Sequence, residues 1–473
     1  MRRETARAGV GRARRVGDTG IVVRVLFVLA LASCVPSSQA LRAPVDHLIG
    51  ERLGEHLGAA LDDQTAARID ARIDALLARP LDAAAATRIA LAQSPRLRAA
   101  FDELDVAAGD VAAALGLGPV TVDAKLRYGH ERDEYELDAI QGVLGLLTSP
   151  GRRAAAHAEL AAARATAAAA ALRLAARVEI AFDDLLAAQQ ELELRRTAFE
   201  AADAAATLRE RMRAAGNTTE LAEARARDAR EEARIELDRA QAALAARREA
   251  VNALLGLSGP RTQWTAAGTL PELPAVPPTL DALEARAAAA SLELTAGQKR
   301  REAAEHRAGG ERLRAILPEL GVGIAVAHDG QNTGLGPALQ LGLPLLDPRT
   351  GERARADALV RRAGHELEAQ ALELGAAARA ARTLALATYQ EARHLHDVVL
   401  PLRQQIVDEV QKHYNAMDAD LFALILARRE LIDGSHQYLD ALRRYWNATA
   451  EVTGLLRGVM LDDPARAPTE DTR

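Results

Sequence analysis

Between Arg152 and Ala215 the chain contains no glycine and no proline, and alanine and arginine dominate the stretch. A single long helix is the natural outcome, because alanine loses no side-chain entropy on helix formation and arginine loses little. Residues 150–213 predict a helix roughly 100 Å long at 1.5 Å per residue. Residues 348–414 predict a second of similar size, with Pro401 kinking it locally. Aromatic residues make up only 3% of the 473-residue chain, so a thick compact core is hard to fill. Small side chains instead suit long helices packed closely side by side.

The two long helices belong to a duplicated pattern. Leu81-Asp82 and Leu280-Asp281 each open an alanine-rich helical stretch, 199 positions apart. Ser149-Pro150 and Asp347-Pro348 each start a long helix at an offset of 198. Ser or Asp accepts an orphan backbone N–H at a helix start, and proline at the next position has none to lose. Leu221 and Leu421 each follow a polar turn, and Leu254-Leu255 and Leu455-Leu456 precede Gly256 and Gly458, at offsets of 200 and 201. Each half therefore reads as helix, two short strands, long helix, turn and return helix. The first helices cover 81–114 and 280–315, and the return helices 219–255 and 420–456. Period-two alternation marks strands at 120–128 and 320–327, with return strands expected at 142–147 and 338–343. Polar loops are expected between them, at 130–138 and 328–335. Val399, Leu402, Ile406 and Val410, followed by Leu421, Leu424 and Leu431, give the second hairpin a coiled-coil-like seam.

The resulting division is 34–80 as an irregular lead-in, 81–256 and 280–458 as the two repeats, and 257–279 as a linker between them. Pro260, Pro271, Pro274, Pro277 and Pro278 make the linker extended. The polar tail, 459–473, is expected to be disordered.

Residues 1–33 read as an export signal. Arg2, Arg3, Arg7, Arg12, Arg14 and Arg15 precede an apolar run at 25–32 that is too short to span a bilayer as a helix. The run ends in Leu31-Ala32-Ser33-Cys34, which resembles the bacterial lipobox. That resemblance implies that Cys34, the only cysteine, becomes the lipidated first residue of the mature protein. Val35 then permits sorting to the outer membrane.

Charge and chemistry narrow the function classes. The net charge is −6, and the leader carries +5 of it, leaving −11 for the remainder. That balance excludes a nucleic-acid binder. His394 and His396 point to different helix faces and with His413 make no ligand set, so no metal site is expected. Gly256 and Gly259 lack the lysine and strand of a phosphate loop. No Ser/His/Asp grouping stands out, and the reading is of a non-enzyme without cofactors.

Several phrases resemble the TolC-type outer-membrane factor family, over roughly residues 80–460. They are Ala90-Leu91-Ala92-Gln93-Ser94-Pro95-Arg96-Leu97, the strand-to-helix run from Gly336 through Pro344-Leu345-Leu346-Asp347, and Leu424-Ile425-Leu426-Ala427-Arg428. The second is most similar to the heavy-metal efflux branch. The resemblance implies a mainly α fold with a small β part, with coiled-coil hairpins forming an α-barrel. It implies a homotrimer whose four strands per protomer close a twelve-stranded β-barrel in outer-membrane lipid. Closure is a physical requirement, because open sheet edges cannot lie in lipid.

The implied function is the passive exit duct of a tripartite efflux or type I secretion system. Its partners are a periplasmic adaptor and an inner-membrane transporter. The turns Gly216-Asn217-Thr218-Thr219 and Ala416-Met417-Asp418-Ala419-Asp420 would face the adaptor. Family aperture aspartates align with Ala423 and Leu426, so an acidic ring would have to use Asp418 or Asp420. Tyr128 and Tyr135 are the few candidates for an interfacial aromatic belt. A lipid-anchored coiled-coil scaffold without a pore, and an adaptor protein, are the competing readings. Adaptors carry one hairpin between β-rich domains, whereas this chain has two hairpins and little β.

Overall fold

The computed structural model describes residues 38–55, 63–116, 120–128, 133–317, 319–328, 332–342 and 349–461. The export signal with Cys34, residues 343–348 with the Asp347-Pro348 helix start, and the tail from 462 lie outside the described residues.

The lead-in is not irregular. It holds helices α1 (Ser38–Leu53) and α2 (Asp63–Leu77). Leu41, Val45 and Ile49 recur every fourth residue and are all buried, giving α1 one core-facing stripe. Arg52 then donates to the carbonyls of Ala290 at 2.8 Å and Arg457 at 2.7 Å. Those carbonyls end two helices of the second repeat, so α1 caps distant helix termini that lack intrahelical partners.

The first helix of each repeat breaks once. The first is α3 (Ala83–Gln93) and α4 (Pro95–Leu115), parted at Ser94. After β1 (Val120–Tyr128), β2 (Asp133–Gly142) and one helical turn, α5 (Ser149–Ala214) runs unbroken for 66 residues. Helix α6 (Glu220–Leu255) returns beside it. In the second repeat α7 (Leu283–Ala290) and α8 (Leu292–Ile316) part at Ser291. Strands β3 (Glu319–His328) and β4 (Thr333–Gly342) follow, then α9 (Thr350–His394), a π turn at Leu395–Val399, α10 (Leu400–Asn415) and α11 (Leu421–Leu456). The expected disturbance near Pro401 takes the form of that π turn. Proline has no N–H for the i−4 carbonyl and its ring crowds it, so one wider turn absorbs the mismatch.

Strands form one antiparallel sheet in the order β1-β2-β3-β4, which leaves β1 and β4 as edges. The return strand expected at 142–147 is instead β2, and most of the supposed loop at 130–138 belongs to it. Glu134, Tyr135, Glu136, Leu137, Asp138 and Ala139 alternate with period two and pair in register with β1, Leu137 facing Ala124. The unbroken apolar run Val143-Leu144-Gly145-Leu146-Leu147 folds back as the helical turn. Similarly, β4 starts earlier than expected, at Thr333.

Helix packing repeats the strand order. Beneath the sheet α4 lies on α5, α5 on α8 and α8 on α9. Towards the other end α6 lies on α5, α5 on α11 and α11 on α9 and α10. In the upper half of α5 the buried face is almost all alanine, from Ala155 through Ala176, which lets neighbours on several sides approach closely. Below Ala187 only Ala206 and Arg209 of α5 are buried.

Candidate functional site

Two places carry functional geometry: the exposed face of the sheet and the paired hairpin tips about 100 Å of helix away.

Register places Val120, Val122, Ala124 and Leu126 of β1 beside Ala139, Leu137 and Tyr135 of β2 on one face. Ile324, Val326 and Val322 of β3 continue that face, and Leu335, Leu339 and Leu341 of β4 complete it. Gln141 interrupts it, and Tyr135 stacks on His328 at 4.8 Å towards one end. Large apolar residues stay exposed here: Leu126 65%, Ile324 56%, Leu339 72% and Leu335 74%. An apolar face of this size left open in water is a binding face awaiting cover. On the opposite face β1 and β2 carry Thr121, Asp123, Lys125, Glu136 and Asp138. Lys125 Nζ lies 3.3 Å from Glu136 and 3.7 Å from Asp138. On β3 and β4 that face holds mainly glycine and alanine. Strands of 9 or 10 residues match what a tilted strand needs to cross a bilayer. Among the described residues no helix is long and apolar enough to do so.

At the other end each long helix stops in the same way. Asn217 N–H reaches the Met212 carbonyl at 2.8 Å and Gly216 N–H that of Arg213 at 3.0 Å, with Gly216 left-handed at φ +73°. In the second tip Asp418 N–H reaches His413 at 2.9 Å and Met417 N–H reaches Tyr414 at 3.0 Å. Both pairs make the 6→1 and 5→2 bonds of a Schellman stop. Met417 holds the left-handed position at φ 60° where the first repeat has glycine, and it is 95% exposed. The return helices start at Thr219, whose hydroxyl accepts from Ala222 N–H, and at Asp420. A non-glycine residue held left-handed costs roughly 1–2 kcal/mol. Met417→Val is therefore expected to loosen this tip relative to Met417→Gly, read as faster hydrogen exchange of the Asp418 amide. Equal exchange in the two variants would show that the turn is not strained.

The residue that joins the two tips was not singled out by sequence. Arg209 is 9% exposed, near the end of α5. Its Nη2 lies 3.3 Å from Asp420 Oδ2, its Nη1 lies 3.4 Å from Thr218 Oγ1, and its guanidinium sits 5.8 Å from the Phe422 ring centre. One side chain of the first hairpin thus touches both turns. Nothing local distinguishes Arg209 from Arg211 or Arg213; only the meeting of the hairpins buries it. Of the aperture candidates, Asp420 takes part in this clasp. Asp418 Oδ2 accepts from the His413 ring at 2.8 Å within its own turn, and Ala423 and Leu426 are exposed on α11.

Further ties climb the same interface between repeats. Arg429 pairs with Glu232 at 3.0 Å, His436 with Glu191 at 2.6 Å, Arg443 with Asp184 at 3.1 Å and Arg457 with Glu179 at 3.0 Å. Beside them Asp183 is pushed up to about 6, first by burial and then by Glu179 and Asp184. His394 and His396 are joined by no third ligand: no group of three or more His, Cys, Asp or Glu side chains among the described residues could hold a metal ion.

No family model matches the chain, and no curated protein does. Solved structures do. The outer membrane protein VceC of Vibrio cholerae superposes with a TM-score of 0.66 at 18% identity, over 84% of this chain and 98% of that one. A membrane protein of Pseudomonas aeruginosa gives 0.67 at 18% identity, over 81% and 92%. The CmeC outer membrane channel of Campylobacter jejuni gives 0.65 at 12% identity, over 88% and 93%. The chain has the fold of these proteins, mainly α with long helical hairpins and a four-stranded sheet.

Proposed function

We propose that three copies of this chain form an outer-membrane channel, the passive exit duct of an efflux or secretion system. One observation carries the reading: a four-stranded sheet with an exposed apolar face and two unpaired edges, set above very long helical hairpins. Lipid is the cover that suits the face. Edges in lipid must be paired, so β4 of one copy closes on β1 of the next. Three copies give twelve strands. The hairpins then extend away from the membrane as a helical tube, with Cys34 as a lipid anchor at the outer-membrane surface. A periplasmic adaptor meets the two turns at residues 216–219 and 416–420, and an inner-membrane transporter supplies the energy.

The Arg209 clasp is the closing device in this reading. It ties hairpin one to hairpin two at their tips, so opening must part Arg209 from Asp420 or Thr218. An adaptor that binds the parted tips better than the joined ones shifts the population toward open. Purified protein in planar bilayers is expected to conduct as a trimer, with small currents. Arg209→Ala is expected to raise the open probability of single channels by about tenfold, the scale of losing one charge-assisted contact. A chain that stays monomeric and never conducts would instead be an anchored scaffold of rods.

A further inference from the structure

We infer that the groove where α5, α8 and α9 meet beneath the sheet binds an amphipathic anion, a carboxylate or phosphate carried on an apolar body. This goes beyond the channel reading, because the groove is formed within one chain and needs no pore. Its volume is about 430 Å³, within the range of small-molecule sites.

Two of its arginines have no carboxylate partner among the described residues. Arg152 Nη2 donates only to the carbonyls of Gly145 at 2.9 Å and Gly116 at 3.4 Å, and its Nε is buried without a partner. Arg355, exposed on the first turns of α9, makes no hydrogen bond or ion pair among the described residues. The other three are committed: Arg307 to Glu159, Arg314 to Glu311 and Arg362 to Glu366, each at 2.7 Å. Against these two guanidinium groups stands one lining carboxylate that has no ion pair among the described residues, Glu352.

The placement of these arginines runs against helix preference. Both α5 and α9 begin at this level, and helix N-termini favour negative charge. Yet both repeats put arginine pairs in the first two turns, Arg152 and Arg153 in one, Arg353 and Arg355 in the other, with Glu352 the one acidic residue among them. Their fields add to those of the two helix ends, and an anion relieves both at once. Between the charges the lining is apolar and small, with Ala304, Ala308, Ala356 and Ala363 beside Leu359, which is 47% exposed. Charge at one side and uncovered apolar surface at the other select an amphiphile over a simple ion.

Calorimetric titration of the full-length protein in a non-ionic detergent, with empty micelles subtracted, tests this with three probes. 4-Phenylbutyrate is expected to bind about tenfold more tightly than acetate, which lacks the apolar body, and than 4-phenylbutylammonium, which reverses the charge. Arg355→Gln is expected to weaken phenylbutyrate about tenfold. Leu359→Gln should weaken phenylbutyrate while leaving acetate unchanged. Both replaced side chains are exposed, so both variants should keep the parent's circular dichroism and trimer yield. Dihexanoyl-phosphatidylglycerol distinguishes a lipid source from a soluble one, according to whether it displaces phenylbutyrate or fails to. Acetate or the ammonium compound binding as well as phenylbutyrate would overturn the assignment. So would phenylbutyrate affinity that neither substitution changes. A channel reading lost on other grounds, by absent conductance, leaves these titrations unaffected.

Discussion

Replacing Ile324 or Leu137 by arginine is expected to abolish assembly in the outer membrane, while Asp123→Arg leaves it intact. Ile324 and Leu137 sit near the middle of β3 and β2, on the face whose large apolar residues stand exposed. Arginine near the middle of the lipid-facing band costs roughly 2–4 kcal/mol per copy. A closed barrel carries the change three times, so the assembly bears about three times that penalty. Asp123 lies on the other face, directly across from Asp138. An arginine there meets a carboxylate and, in a closed barrel, the water-filled interior. Membrane flotation and the fraction of heat-modifiable trimer on unheated gels read the outcome. Failure of Asp123→Arg alongside normal insertion of Ile324→Arg would mean that the sheet faces lipid with its polar side, or does not face lipid at all.

How far the sequence disclosed this fold depends on what each element's signal was made of. The glycine-free, proline-free run from Arg152 made α5 legible almost to the residue, because nothing else in that stretch competes with a helix. The repeat offsets made the second hairpin legible from the first. Strand β2 was not legible, because its charged residues mimic a loop when read alone. Its alternation gains meaning only opposite β1, where Leu126 and Tyr135 share a face. Helix α1 escaped notice because its stripe is thin; Arg52 finds its two carbonyl partners more than two hundred positions away in sequence. Arg209 was hidden for the same reason. The turns it joins were visible as Gly216-Asn217-Thr218-Thr219 and Met417-Asp418-Ala419-Asp420, but a clasp between them is a property of the packing.

The linker shows where the scarce aromatics are placed, and it gives the largest expected loss of stability. A proline-rich segment offers few N–H groups, so it must be held by its carbonyls and by side chains. Trp446 Nε1 donates to the Pro271 carbonyl at 2.8 Å, and the Tyr389 hydroxyl to that of Pro274 at 3.1 Å. Trp264, the linker's own aromatic, is 3% exposed and donates to the Asn252 side chain at 2.8 Å. Phe182 of α5 stacks on it at 6.4 Å, and Arg248 lies over its ring while donating to its carbonyl at 2.7 Å. Its neighbours extend the anchor, with Leu81 N–H on the Thr265 carbonyl and Ala267 N–H on the Leu81 carbonyl, both at 2.8 Å. Trp264→Ala is therefore expected to cost about 3–5 kcal/mol, as truncation of a buried aromatic usually does. Trp264→Phe keeps most of the volume but strands the buried Asn252 oxygen, which costs about 1–3 kcal/mol. Thermal unfolding by circular dichroism should rank wild type above Trp264→Phe and Trp264→Ala last. If Trp264→Phe unfolds with wild type, the Asn252 bond contributes nothing. If both variants do, Trp264 is not what anchors the linker to the first repeat.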